Sequence, residues 1–439
     1  MRVGYCSPFN PLKSGISDFS EELVVALSHY MDVVVFSPVE PENKSLAKTC
    51  QIKDINELDK ESIRNELNLL VYHIGNNWNC HREVVHMLEK YSGIVELHDV
   101  GLHYLAIERV LETQDWDEYK RLAEYCHGAR GRKIVEDYLQ GIGDAPWSKH
   151  PLDMSMTRHI LEKATAVVVH SEFAKQMVLA LFPDKPIANI ALHSCDIIDD
   201  MDGFQKACRK KLSISDTEMV IGSFGFATYP KRIIQILDAL ERIKAQGYSF
   251  LYILVGEVQK EIDMQRELKK RNLSGCVIVT GFSTLEDFKL YMGACDFCIN
   301  LRYPTQGESS ASLHRMLGMG KPAIVTDIGT FADYPDDVVL KVGYDEREVD
   351  DIFSAISLLL RDRAGLKKRS KKALEFAKTY CDLEKNAQMY ADFFAAVQKG
   401  TWQPNYEDIV ITRLVELGLT NKGYLKHFYE INQHCLDMS

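Results

Sequence analysis

The sequence predicts an α/β protein built from two doubly wound parallel sheets that face each other across a cleft. Short apolar runs alternate with longer helical stretches through the first half of the chain, the pattern of a parallel sheet covered by helices. The same alternation restarts near Met219. A length of 439 residues, 46% of them hydrophobic, exceeds what one core organises and fits two domains.

In the first half the strands are "RVGYC", "DVVVFS", "LNLLVYHI", "GIVELH" and "TAVVVHS". Most end on chemically useful side chains: Ser7, Ser37, His73, His98 and His170-Ser171. Ligands of open α/β sheets bind beyond the carboxyl ends of the strands, so these positions are where a site belongs. Between residues 100 and 150 the rhythm breaks into a helix-rich insertion, read as a lid or an acceptor-binding subdomain. The polar stretch from Asp196 to Ser215 holds no strand-like run and reads as a connection. The second set of strands is "MVIGSFG", "SFLYILVGE", "CVIVTGF", "DFCINLR" and "PAIVTD". The expected division is therefore a first domain over 1–200 and a second over 216–380. Over 381–439, helices beginning with "CDLEKNAQMYADFFAAVQ" are expected to cross back to the first domain, followed by the extension "TWQPNYEDIVITRLVELGL".

Bulk properties exclude several classes. A net charge of −11 argues against a general nucleic-acid binder, which needs clustered Lys and Arg to displace counterions. The basic run Lys367-Lys368-Arg369-Ser370-Lys371-Lys372 reads as a solvated helix face or as a contact for an anionic membrane surface. The start lacks the apolar core of a signal peptide, and no segment reaches the roughly 20 apolar residues that span a bilayer, so a cytoplasmic protein is expected. Eleven cysteines without CxxC spacing fit reduced thiols better than a disulfide framework or a zinc site.

Several stretches carry chemistry. Ser14-Gly15 sits between a strand and an amphipathic helix, where a glycine is either a plain turn or the point at which backbone N–H groups approach a phosphate. Neither GxGxxG nor GxxxxGK[ST] is present. In "GSFGFATYPKR" a glycine turn leads to Lys231-Arg232, a cationic pair suited to a diphosphate or to an ordinary helix start. The stretch "HIGNNWNCHREVVHMLEKYSGIVELHDVGLHYL" gathers Asn76, Asn77, His81, His98, Asp99 and His103. With no HExxH or compact ligand spacing, that mixture suits a hydroxyl-rich substrate better than a metal. The acidic doublets "DWD" and "DMD" fall outside strand ends and are read as chance. Finally, "TQGESSASLHRMLGMGKP" places Glu308, Ser309 and Ser310 at a helix mouth, as an N-cap or as a phosphate cradle.

Taken in order, the loop at Ser14-Gly15, the "HD" after a strand, "FGF…PKR", "VTGF" and "PTQGESSASLHRMLGMGKPAIVTDIGTFADYP" resemble the family-4 glycosyltransferases of the GT-B fold, which has two Rossmann-like domains. "GNN…H", "ELHDVGLH" and "VVVHSEFA" resemble a bacterial branch that builds surface polysaccharides. The resemblance spans roughly residues 1 to 395. It implies transfer of a sugar, with retention, from a nucleoside-diphosphate sugar to a glycan or lipid-linked glycan, without a metal or other cofactor and with peripheral membrane contact as an option. By the same resemblance Gly15 approaches the donor phosphates, Lys231 binds the diphosphate, and Arg232 substitutes for an arginine whose place holds Gly225 and Phe226. Gly281 and Phe282 lie near the base, His98 close to the sugar, and Glu308 is the sugar-contacting acid, with Ser309 and Ser310 at the phosphates. The Glu-x7-Glu signature departs here: Gly307 holds the first position and Arg315 the second. Two other readings fit the same architecture, a nucleotide-sugar epimerase and an inactive homologue that binds nucleotide sugar or scaffolds a complex.

Overall fold

The computed structural model describes residues 1–148 and 151–404. Strands β1 (Arg2–Cys6), β2 (Asp32–Ser37), β3 (Gln51–Asp54), β4 (Leu69–Ile74), β5 (Gly93–Leu97), β6 (Ala164–Val169) and β7 (Ile187–Asn189) form one parallel sheet in the order β3-β2-β1-β4-β5-β6-β7. Strands β8 (Val220–Phe224), β9 (Leu251–Val255), β10 (Val277–Gly281), β11 (Phe297–Asn300), β12 (Ala323–Thr326) and β13 (Val339–Val342) form a second, also parallel, in the order β10-β9-β8-β11-β12-β13. The central strands are nearly continuous apolar runs because helices cover both faces of each sheet. Three strands have no counterpart in the sequence reading: β3, β7 and β13. All are edge strands of three or four residues, and the half-exposed "QIKD" of β3 carries no apolar run.

Each sheet has one core on either face. Helix Leu383–Lys399 returns to the first domain, where Tyr390, Phe393 and Phe394 join Val3, Tyr5 and Leu23. The connector is more structured than its polar composition suggests, because Met201–Leu212 is helical. Its Arg209 ties it to the second domain by donating to the Ala294 carbonyl at 3.0 Å and to Asp296 at 2.8 Å. The insertion holds helices His103–Thr113 and Trp116–Leu139, the latter kinked at Gly128 with φ 66°, around a small core of its own. The two acidic doublets acquire a plain role: Asp115 caps one helix by accepting from Glu118 N, and Asp200 caps another by accepting from Gly203 N. Among the described residues no helix is long and apolar enough to cross a membrane. The extension from residue 405 onward lies outside the described residues.

Candidate active site

Strand order reverses beside β1 and β4 in the first sheet and beside β8 and β11 in the second, and the loops at these carboxyl ends line one cleft of about 380 Å³. Ser14, Gly15 and Glu22 line it from the first domain, and Gly225, Gly256, Phe282, Ser312 and Arg315 from the second. Gly225 and Gly256 have φ of +87° and +143°, and a Cβ on Gly256 would lie 2.3 Å from the Gly225 carbonyl oxygen, so backbone itself forms this wall. Gly281 ends β10 with φ +72°. Two helices begin at the cleft. Gly15–Leu27 is capped by Ser14 Oγ accepting from Ile16 N at 3.2 Å, and Ala311–Gly318 by Ser310 Oγ accepting from Leu313 N at 3.3 Å. Helix starts carry partial positive charge and favour anions. A Cβ on Gly15 would meet nothing within 4 Å, so the space before that helix is open. On the rim Phe226 and Phe282 are 51% and 63% exposed, and the Lys13 ammonium sits 4.8 Å from the Phe282 ring centre.

Behind this wall lies a knot of charge. Lys231 Nζ donates to the Phe224 carbonyl, and a Cβ on Gly225 would come within 2.5 Å of that ammonium. Burial, then the Arg302 guanidinium, push the Lys231 amine well below the usual lysine range, and Glu308 opposes them. Glu308 Oε2 accepts from Thr305 Oγ1 at 2.8 Å and from Gln306 N at 2.7 Å, and Oε1 lies 3.3 Å from Arg302 Nε. Across the interface Asp99 accepts from Asn76 N at 2.7 Å, and burial together with the Glu308 charge raises its carboxyl to about 7. Gly101 N donates to the Gln306 carbonyl at 2.6 Å, so the loops carrying Asp99 and Glu308 are pinned together. Arg302 escapes the sequence reading, although an arginine that closes the run "FCINLR" at a strand end is a readable signal.

The other anticipated residues are placed unequally. Gly15, Phe282 and Arg315 line the cleft, Ser310 caps the helix whose first turn does, and Ser309 precedes it. Arg232 is not among the lining residues: its guanidinium pairs in a two-pronged way with Glu348, and it lies 5.6 Å from the Tyr303 ring centre. Arg315 reaches Glu22 of the first domain at 2.8 Å and also pairs with Asp196. Asn76 accepts from Leu105 N, and Asn77 caps the helix Trp78–Lys90. His81 Nδ1 lies 3.0 Å from the His73 carbonyl, and burial lowers this ring to about 4. His103 is buried in the insertion, 2.6 Å from the Tyr119 hydroxyl. His98 is buried with both ring nitrogens engaged, by His73 at 3.1 Å and His170 at 3.2 Å.

Two groups of ligand-type side chains come together among the described residues: Glu22, His193 and Cys195, and His73, Glu96 and His98. In the first, Glu22 is taken by Arg315 and by His193 at 3.1 Å. In the second, His98 is spent on His73 and His170, while His73 Nε2 faces Glu96 Oε2 at 3.3 Å.

Two doubly wound domains meeting at a ligand-sized cleft define the GT-B fold. Residues 204–378 match the model of the family described as glycosyl transferases group 1, so the second domain is that of a glycosyltransferase. Solved structures agree on the fold. A sucrose-phosphate synthase from Thermosynechococcus elongatus is 15% identical with a TM-score of 0.64, over 90% of this chain and 100% of that one. Anabaena HepE, solved with UDP and glucose, is 13% identical with a TM-score of 0.60, over 90% and 100%. WaaG, a glycosyltransferase involved in lipopolysaccharide biosynthesis, is 13% identical with a TM-score of 0.57, over 89% and 99%. No curated protein matches the sequence.

Proposed function

We propose that the cleft binds a nucleoside-diphosphate sugar and transfers its sugar, with retention, to a glycan or lipid-linked glycan acceptor in surface-polysaccharide synthesis at the cytoplasmic face of the membrane. The observation that carries this reading is the pair of helix starts, at Gly15 and at Ala311-Ser312, on opposite sides of one cleft with open space before the first. Negative charge builds on the β-phosphate as the sugar–oxygen bond breaks, and preformed dipoles act most strongly on charge that develops there. Lys231 lies behind Gly225 on the same wall. In this reading the departing phosphate takes the acceptor's proton, so neither a side-chain nucleophile nor a metal is called on. The exposed Phe226 and Phe282 rings, with Lys13, suit a flat base. That HepE was solved with UDP-glucose supports a donor of this class.

Acceptor-dependent release of nucleoside diphosphate tests the reading. Conversion of the donor without an acceptor would identify an epimerase instead, and binding without release a scaffold. In a thermal-shift screen of UDP, GDP, ADP and TDP sugars, the true donor raises the melting point, since a ligand of the native state stabilises it. Gly15→Ala separates site from scaffold. It is expected to leave the melting point level or slightly raised, because alanine is the better helix former and its methyl meets nothing. It is also expected to raise donor KM about tenfold, roughly 1.4 kcal/mol, by filling the space before the helix. Unchanged KM would take the phosphates away from Gly15.

A further inference from the structure

Glu96 is the acid within the otherwise apolar "GIVEL" of β5, and it is fully buried. It lies beneath a chain of imidazoles contributed by the ends of three strands. His73 Nδ1 is 3.1 Å from His98 Nε2, His98 Nδ1 is 3.2 Å from His170 Nε2, and His170 Nδ1 is 2.8 Å from the Ile190 carbonyl oxygen. A carbonyl only accepts, so His170 carries hydrogen on Nδ1 and a lone pair on Nε2. The direction then propagates. His98 donates from Nδ1 to His170, His73 donates from Nδ1 to His98, and His73 Nε2 is left with a lone pair. Facing it at 3.3 Å is Glu96 Oε2, and with Glu96 taken as a carboxylate both atoms are buried without a hydrogen-bond partner. Glu96 Oε1 is occupied, accepting from the Tyr390 hydroxyl at 2.8 Å.

One proton therefore lies between Glu96 and His73. Placing it on His73 makes a buried ion pair; placing it on Glu96 leaves both groups neutral. Two charges in an apolar interior cost more than they recover unless both are well solvated by hydrogen bonds, so the neutral arrangement wins. Burial acts the same way on each group, raising the Glu96 carboxyl to about 8 and pushing the His73 imidazole well below its usual range.

We infer that Glu96 is a positioning residue: its Oε2–H donates to His73 Nε2 and, with the Ile190 carbonyl at the other end of the chain, holds His98, adjacent to Asp99 at the domain interface, as a neutral ring with its hydrogen on Nδ1. The consequence for transfer rests on the function proposed above; the tautomer does not. The groups that act on this chain are His73 of β4, His98, His170, Tyr390 of the C-terminal helix and Tyr5 of β1, whose ring centre is 4.2 Å from that of His73. His81 and His193 act on His98 by charge, and His314 acts on His170. Once Glu96 ionises it can accept but not donate, so its carboxylate faces the His73 Nε2 lone pair and opposes the direction that the Ile190 carbonyl sets at the other end. Because its folded value stands above the ordinary 4.5, the folded state binds the extra proton between 4.5 and about 8. Stability therefore falls as pH rises across that window and levels off beyond it.

Glutamine tests this, since its amide N–H donates to His73 Nε2 and does not titrate. In nitrogen-15 histidine spectra at pH 7, with resonances assigned by single His→Asn variants, His73, His98 and His170 are expected as neutral rings with hydrogen on Nδ1, in wild type and in Glu96→Gln alike. At pH 9.5 that pattern is expected to survive only in Glu96→Gln. The wild-type melting point is expected to drop more steeply from pH 5 to 8 than that of Glu96→Gln, in which Asp99 and the buried histidines still titrate. Turnover at saturating donor is expected to fall at least threefold more from pH 7 to 9 in wild type than in Glu96→Gln. An Nε2–H tautomer on His98 or a cationic His73 at pH 7 would overturn the inference, as would an identical alkaline loss in Glu96→Gln. If Glu96→Gln fails to fold, the wild-type spectra at the two pH values decide alone. If no donor is turned over, spectra and melting points still decide, so the two proposals fail separately.

Discussion

Arg315→Ala is expected to lower the unfolding free energy by about 3 kcal/mol, and Arg315→Glu by more. The guanidinium is 10% exposed and joins three parts of the chain. It bonds Glu22 on the first-domain helix at 2.8 Å and Asp196 in the connector, while it belongs itself to the second domain. Lys289 holds the other Asp196 oxygen at 2.6 Å, and His193 holds the other Glu22 oxygen at 3.1 Å. Removing the arginine leaves two largely buried carboxylates short of a partner, which costs more than the pair itself is worth. Arg315→Glu restores the acid that the Glu-x7-Glu spacing would place there, and in this chain it would set a third carboxylate against the other two. Urea unfolding followed by circular dichroism measures both variants. An Arg315→Glu protein as stable as Arg315→Ala would show that the network does not hold the interface. A cycle with Glu22→Ala should show coupling of about 1 kcal/mol or more, because the two residues touch. The acid side gives an independent check. Burial alone would raise the Glu22 carboxyl, yet His193 and Arg315 hold it at about 2. Its contribution is therefore complete above pH 4.5 and lost as pH falls from there toward 2, a loss that Arg315→Ala should reduce.

This network also marks the boundary of what the sequence makes legible. Arg315 could be read as a departure from a spacing, but not as one half of a pair, because Glu22 lies 293 positions away and only the packing of two domains brings it close. Arg232 shows the same gap in reverse. Beside Lys231 it reads as a second phosphate ligand, but it stands at φ 58° and turns to Glu348, 116 positions on. Strand-end glycines and helix caps were legible because their geometry is local: a positive φ or an N-cap is settled within four residues. The buried strands were legible because both faces are covered; of the edge strands, β3 is polar and β7 only three residues long, whereas β13 carries the apolar run "VLKV" and was legible but not read. Glu96 had a local signal, an acid in an apolar strand, though its meaning depends on three histidines from elsewhere.

Lys231→Met and Glu308→Ala are each expected to cut transfer more than tenfold, at least about 1.4 kcal/mol of barrier, without unfolding the protein. They should do so by different routes. Lys231 sits behind the glycine wall with its amine held down by burial and by Arg302. A diphosphate arriving beyond Gly225 brings negative charge that favours the ammonium, so binding should take up a proton and weaken as pH rises. Dissociation constants for the nucleoside diphosphate at pH 7 and 9 should therefore diverge in wild type and converge in Lys231→Met. If the lysine meets charge that develops only as the bond breaks, kcat falls with kcat/KM; a rise in KM alone would reduce its part to holding the ground state. Glu308 accepts from Thr305 and Gln306 and pairs with Arg302, so it shapes the loop that meets Asp99 across the interface. Removing it also lifts the charge that helps raise Asp99, so the Asp99 carboxyl should titrate lower than about 7 in Glu308→Ala. Glu308→Gln preserves the loop's shape better but removes the same charge. Recovery of turnover in Glu308→Gln would assign Glu308 to loop geometry, whereas equal loss in both variants would assign it to charge at the sugar.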